Sequence, residues 1–186
     1  MSAVLAMPRD RDRVVDTVVR AFVADPAFRH FFPDDATYAD DAAAFAGWLF
    51  DRRVGHGTVW VADGGAAVAM WEPPHPARAA DGAAPELTVP DPVRRRLDDY
   101  EHTVHRVLPA QPYWYLGVLA TAPEQAGRGL ARAVMAAGLD RAHTDRVPSV
   151  LETTNRDNLA LYEHLGWTVH DSIVVGSMTV WVLTNA

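Results

Sequence analysis

Val14, Val15, Val18, Val19 and Phe22 recur at steps of three and four, the repeat that puts apolar side chains on one face of a helix. A short strand is expected before them, over residues 3–6. A second helix is predicted over 38–54, with Phe45, Trp48 and Leu49 on its buried side, and DPAFRHFFPDD (25–35) between the two helices reads as an aromatic loop. GTVWVAD and AAVAMWE alternate about Gly64-Gly65, so residues 57–72 are predicted to form a β-hairpin. Six prolines between 73 and 92 then remove backbone donors and restrict the residues before them, which gives a long loop inside one domain. A helix is predicted over 93–108, with Arg94, Arg95 and Arg96 on a solvated face, ending before Gln111-Pro112.

The second half is more regular. YWYLGVLAT (113–121) predicts a strand, a glycine turn follows, a helix runs over 128–143, and SVLETT (149–154) is the next strand. Two strands joined by a helix normally lie parallel with a right-handed crossover. A short helix over 157–165 is opened by Asp157 and closed by Gly166, and WTVHDSIVV and MTVWVLTN are the last two strands. Strands interleaved with helices in this order predict an α/β (α+β) fold.

Composition narrows the function classes. With 186 residues and 49% hydrophobic content the chain can bury one sizeable core, so a single domain over 1–186 is expected. No apolar run approaches the roughly 20 residues that cross a bilayer, the apolar start of MSAVLAMPRDRDR is too short for a signal peptide, and there is no cysteine. A cytoplasmic protein without a thiolate metal site follows as the expectation. A net charge of -7 argues against nucleic acid as the partner and is compatible with a cationic small molecule. All 17 basic residues are arginine, which reflects codon bias rather than function.

The chemistry concentrates in EQAGRGLARAVM (124–135), where two glycines precede a helical pattern. Glycine lets a ligand approach the main chain, and a helix start presents unpaired N–H groups and partial positive charge, a combination suited to phosphate. A Walker loop requires a lysine, and the chain has none. A dinucleotide fingerprint beginning at Gly127 and Gly129 requires a small residue where Arg132 stands. A coenzyme A site, with its diphosphate against the turn, is the third possibility.

Ala126-Gly127-Arg128-Gly129-Leu130-Ala131, together with GTVWVADGGAAVAMW, WYLGVLATAPEQAGRGLARAV and LETTNRDNLALYEHLGWTV in that order, resembles the N-acetyltransferase (GNAT) superfamily over residues 14–170. Within it, the segments look most like the puromycin N-acetyltransferase group. Two positions depart from the superfamily pattern: Ala126 replaces the usual Gln or Arg, and Thr121 replaces the usual Val.

The resemblance implies a GNAT fold, a mixed six- to seven-stranded central sheet flanked by helices with two splayed parallel strands. It also implies acetyl-CoA as cosubstrate, no metal, a small-molecule primary amine as acceptor, and no nucleic-acid or membrane partner; monomer and homodimer are both open. Coenzyme contacts would come from Leu119, Ala120 and Thr121 on the splayed strand, from Gly127, Arg128, Gly129, Leu130, Ala131 and Arg132 at the turn, and from Asn155 and Asn158. Tyr162, which matches the superfamily's tyrosine, would give a proton to the departing thiolate.

Read from the residues alone, Asn155 and Asn158 serve equally as turn and helix-start residues, and residues 119–121 as an ordinary strand. Glu152 is the first candidate for the base that deprotonates the amine; Glu72, His30 and a water chain are the others. Phe31, Phe32, Tyr38, Trp48 and segment 73–92 are expected to wall the acceptor pocket. A non-catalytic acyl-CoA sensor and a nucleotide-dependent oxidoreductase are the competing classes.

Overall fold

The structure, a computed structural model, describes residues 2–74 and 86–186. Its centre is one mixed sheet of seven strands: β1 (Val4–Leu5), β2 (Val59–Ala62), β3 (Ala67–Glu72), β4 (Trp114–Thr121), β5 (Ser149–Thr153), β6 (Thr168–Val175) and β7 (Met178–Asn185). The spatial order is β1-β2-β3-β4-β5-β7-β6, with β4 and β5 parallel and every other neighbouring pair antiparallel. β7 therefore lies between β5 and β6, an inversion of chain order that the strand patterns do not carry.

The expected helices α1 (Arg11–Ala21), α3 (Tyr38–Val54), α4 (Asp91–Val104), α5 (Leu130–Asp145) and α6 (Asp157–His164) are all present. The predicted helix over 93–108 tightens into a 3₁₀ turn after Val104, and α5 starts two residues later than expected because Gly127 and Gly129 both hold φ of 75°, and ends two residues later, where Arg146 turns to φ 57°. The aromatic stretch expected as a loop contains a further helix, α2 (Pro26–Phe31). Asp25 causes it: its carboxylate accepts from Ala27 N (2.9 Å) and Phe28 N (3.1 Å), and Pro26 pre-sets the first helical φ. The arginines of α4 are less solvated than expected, since Arg94 donates to the Leu87 carbonyl and Arg96 to the Phe31 carbonyl at 2.9 Å.

Two cores flank the sheet. One, with Val14, Val18, Phe28, Ala46, Phe50 and Tyr100, lies under α1, α2, α3 and α4; the other, with Leu130, Val134, Met135, Tyr162 and Trp167, lies under α5 and α6. The second is tight at one point: a Cβ built on Gly138 of α5 would sit 2.2 Å from the Trp71 ring, which is fully buried. Ala normally favours a helix over Gly by about 1 kcal/mol. Here overpacking reverses the sign, and Gly138→Ala is expected to destabilise by about 1–3 kcal/mol. Thermal unfolding should register this as a fall of roughly 2–4 °C per kcal/mol.

Candidate active site

The sheet opens in its middle. β4 continues to Thr121 and β5 to Thr153, but they pair only through Trp114–Ser149, Tyr115–Val150 and Leu116–Leu151. The parting starts at Gly117, where the register with β3 slips: Met70 lies opposite Val118 and Trp71 opposite Leu116, leaving Gly117 as the extra residue. One extra residue inverts the alternation of side chains. Trp114 and Leu116 accordingly belong to the α5/α6 core, whereas Val118 and Ala120 belong to the α1–α4 core. Gly117 itself is exposed, in a central strand of the sheet.

A cavity of about 1210 Å³ occupies this opening, and its walls come from both cores: Leu151 and Tyr162 from one side, Phe28, Phe31 and Tyr100 from the other. It therefore passes through the sheet. Gly117, Leu119, Glu152 and Thr153 frame the passage. Beyond Leu116 the edge of β4 that faces β5 has no strand ladder, so the main chain of Leu119, Ala120 and Thr121 is paired on the β3 side alone. The Thr121 Oγ1 is buried without a hydrogen-bond partner.

The GRG turn lies where β4 hands over to α5, outside the cavity wall. Among the described residues, the main-chain N–H groups of Gly127, Gly129, Leu130, Ala131 and Arg132 donate to no main-chain acceptor; the first helical bond runs from Ala133 N to Gly129 O at 3.2 Å. A Cβ built on Gly127 or Gly129 meets nothing within 4 Å among the described residues, so the two glycines themselves border open space. Their cluster at a helix start suits an anion of the size of a diphosphate. The side chains contribute differently: Arg128 reaches Asp63 at 2.8 Å and also bonds Gln125, while Leu130 is buried in the core. A coenzyme A fits this arrangement, with N–H donors at the turn, an unladdered strand edge beyond it, and a buried hydroxyl in need of a partner between the two.

The candidate catalytic side chains stand on opposite faces of the sheet. Tyr162 packs in the α5/α6 core, its ring 6.3 Å from that of Trp167 at 68°, and lines the cavity. Burial, reinforced by the charge of Asp25, pushes its phenol up to about 12, so it remains protonated at neutral pH. Glu152, on β5, lies on the α1–α4 face. Burial raises its carboxyl to about 7; hydrogen bonding from Tyr100 and Tyr115 pulls the other way, and the charge of Glu101 adds to the rise. A carboxylate that titrates near neutrality is suited to accept a proton.

Asn158 lines the cavity, but Asn155 does not: its Oδ1 accepts from Asp157 N at 3.0 Å and its carbonyl accepts from Asn158 N at 3.1 Å, the geometry of a turn residue opening α6. Of the other base candidates, Glu72 faces the cavity with its carboxylate engaged by Arg53, which is only 5% exposed. His30 packs against Phe31 and Gly176 instead of the cavity. Phe31 and Trp48 line the expected pocket, whereas Phe32 and Tyr38 are core, the Tyr38 hydroxyl donating to Val19 O at 3.1 Å. Residues 75–85 of the proline-rich segment lie outside the described residues; Pro73, Pro74, Glu86 and Leu87 on either side of them line the cavity.

The residues that sequence reasoning missed are Tyr100, Tyr115, Arg53 and Asp25. Burial holds both phenols well above their ordinary value, which keeps them protonated as donors toward Glu152. Tyr115 had a signal, since YWYLG places it beside the glycine of the opening. Tyr100 and Arg53 had none, because only packing brings α4 and α3 to this place.

The comparisons with known proteins agree with this geometry. The family described as "Acetyltransferase (GNAT) family" matches residues 15–167. A Corynebacterium glutamicum structure described as "histone acetyltransferase HPA2 and related acetyltransferase" is 22% identical, with TM-score 0.72, over 99% of this chain and 94% of its own. An N-acetyltransferase from Staphylococcus aureus is 16% identical with TM-score 0.64, over 99% of this chain and 100% of its own. A mosquito arylalkylamine N-acetyltransferase like 5b is 15% identical with TM-score 0.60, over 99% of each chain. At these identities the structures speak for the fold. A family match across most of the chain, on a seven-stranded sheet that opens between its parallel strands, makes this protein a member of the GNAT acetyltransferase family.

Proposed function

We propose that the protein is an acetyl-CoA-dependent N-acetyltransferase that acetylates the primary amine of a small molecule by direct attack in a ternary complex. The observation that carries this reading is the cavity that crosses the opened sheet, with Tyr162 on one face and Glu152 on the other. The cosubstrate supplies an activated acetyl thioester. The N–H groups at the GRG turn hold its diphosphate, and the free edge of β4 takes its arm as an added strand. An acceptor amine entering on the α1–α4 face loses a proton to Glu152. Main-chain N–H groups of the unladdered β4 edge stabilise charge on the carbonyl oxygen, an effect worth roughly 3 kcal/mol per donor. As the N–C bond forms and the C–S bond breaks, Tyr162 donates its proton to sulfur.

The resemblance to the puromycin N-acetyltransferase group supports an aminoacyl-type or antibiotic amine as acceptor, with drug inactivation or self-protection as the role. Among the described residues no His/Asp/Glu group could hold a metal ion, and no helix is long and apolar enough to cross a membrane. The test combines thermal shift with acetyl-CoA or NADH and release of free thiol from acetyl-CoA across a panel of primary amines. Stabilisation by acetyl-CoA and amine-dependent thiol release are expected; stabilisation by NADH alone, or acetyl-CoA binding with no thiol release for any amine, would overturn the reading.

A further inference from the structure

The acceptor face of the cavity is built of two unlike materials. Phe22, Phe28, Phe45 and Trp48 form one wall, with Phe22 stacked on Phe28 at 4.5 Å, Phe28 edge-on to Phe45 at 6.1 Å, and Phe45 stacked on Trp48 at 5.9 Å. Phe22, Phe45 and Trp48 are only half-buried. The wall continues through Phe31, 6.4 Å from Phe28, to Tyr100, whose ring meets Phe31 edge-to-face at 4.9 Å and 87°. Tyr100 in turn stands beside Glu152, whose charge reinforces the rise of its phenol. An unbroken aromatic surface therefore leads to the proposed base.

The second material is carboxylate: Asp25, Glu72, Glu86, Asp98, Glu101 and Glu152 line the cavity among the described residues. Most of these are committed or peripheral. Asp25 caps α2 through Ala27 N and Phe28 N, Glu72 is held by Arg53, and Glu86, Asp98 and Glu101 are exposed at the rim. Glu152 is left as the carboxylate at depth that can receive an ammonium group. A diamine would bring its second charge to the aromatic wall beside Arg52, whose guanidinium lies 4.5 Å over the Trp48 ring and repels a further cation there. A monoamine with a flat apolar body instead covers the half-buried rings and places its nitrogen at Glu152.

Building on the N-acetyltransferase reading above, we infer that the acceptor is a monoamine carrying an aromatic group, seated on the Phe22–Phe28–Phe45–Trp48 wall with its amino group at Glu152. Phe45 and Trp48 are then specificity determinants. The experiment measures kcat/KM with acetyl-CoA for 2-phenylethylamine, butylamine and putrescine, following thiol release, alongside acetyl-CoA affinity by calorimetry. 2-Phenylethylamine is expected to exceed each of the others by about tenfold or more, the scale of one or two aromatic contacts. Trp48→Ala, and the milder Phe45→Leu, are expected to lower the phenylethylamine-to-butylamine ratio about fivefold through KM. That ratio is insensitive to the fraction of folded enzyme.

Efficient turnover of butylamine or putrescine at or above the rate for 2-phenylethylamine overturns the aromatic acceptor and leaves the N-acetyltransferase reading standing. So does an unchanged ratio in both variants. Tight acetyl-CoA binding without acetylation of any of the three amines overturns the inference, and the broader amine panel described above then decides the fate of the reading beneath it.

Discussion

Tyr162→Phe is expected to lower kcat by about 10²–10⁴-fold while leaving the affinity for acetyl-CoA within about twofold of the parent, the range that positioned proton donors supply. The substitution removes one oxygen and keeps the ring, so packing against Trp167 at 6.3 Å survives and folding is little disturbed. Because the phenol is held at about 12, it stays protonated throughout the accessible pH range and contributes no limb to the rate profile below that value. The loss should accordingly be the same at every pH assayed. Pre-steady-state thiol release is the decisive measurement, since it isolates the chemical step from product departure. An unchanged rate of release would remove Tyr162 from the mechanism.

Glu152→Gln should cost about 10²-fold in kcat/KM at pH 8 and abolish the acid limb of the profile, as removal of a general base does. The sign follows from the state that works. The carboxylate accepts the proton, its burial has raised it to about 7, and activity therefore falls as pH drops through 7 and is fully present above it. Three groups set that midpoint besides burial: Tyr100 on α4 and Tyr115 on β4 pull it down by hydrogen bonding, and Glu101 on α4 pushes it up. Tyr100→Phe removes one stabilising donor to the charged form, so the acid limb is expected to move to higher pH with the plateau largely retained. A purely structural role for Tyr100 would lower the plateau and leave the midpoint in place. If the limb persists in Glu152→Gln, the base is another titrating group, and Glu72, the other candidate that lines the cavity, is the next to replace; loss of the limb with the plateau retained would instead favour a water chain.

Most of the fold was legible because it rests on local pattern. The period of three and four at Val14 to Phe22, the alternation about Gly64-Gly65, and the glycines before Leu130 each fix an element through bonds between near neighbours in the chain. α2 was missed for the converse reason: its six residues are too few to show a period, and a single capping carboxylate, Asp25, decides it. The site was legible in part. Gly127 and Gly129 mark the turn before α5 by their own chemistry, Glu152 was proposed from its place on the second strand and Tyr162 from the resemblance, and the structure places Glu152 and Tyr162 in the wall of one cavity. Asn155 was assigned to the coenzyme by resemblance, whereas its side chain closes the turn before α6.

What the chain alone determined, then, is the sequence of elements, the anion-ready turn at 127–132 and the family to which such segments correspond, since all of these are set by conformational preference over a few residues. What the tertiary structure decided is the insertion of β7 beside β5, the inversion of side-chain faces at Gly117, and the meeting of Tyr100, Tyr115 and Glu152 in the wall of one cavity. The strand 113–121 is apolar almost throughout, and no periodicity in it reveals that Leu116 and Val118 will face opposite cores. That outcome depends on a register with β3 that only the assembled sheet can impose, and the opening through which the chemistry must pass is its consequence.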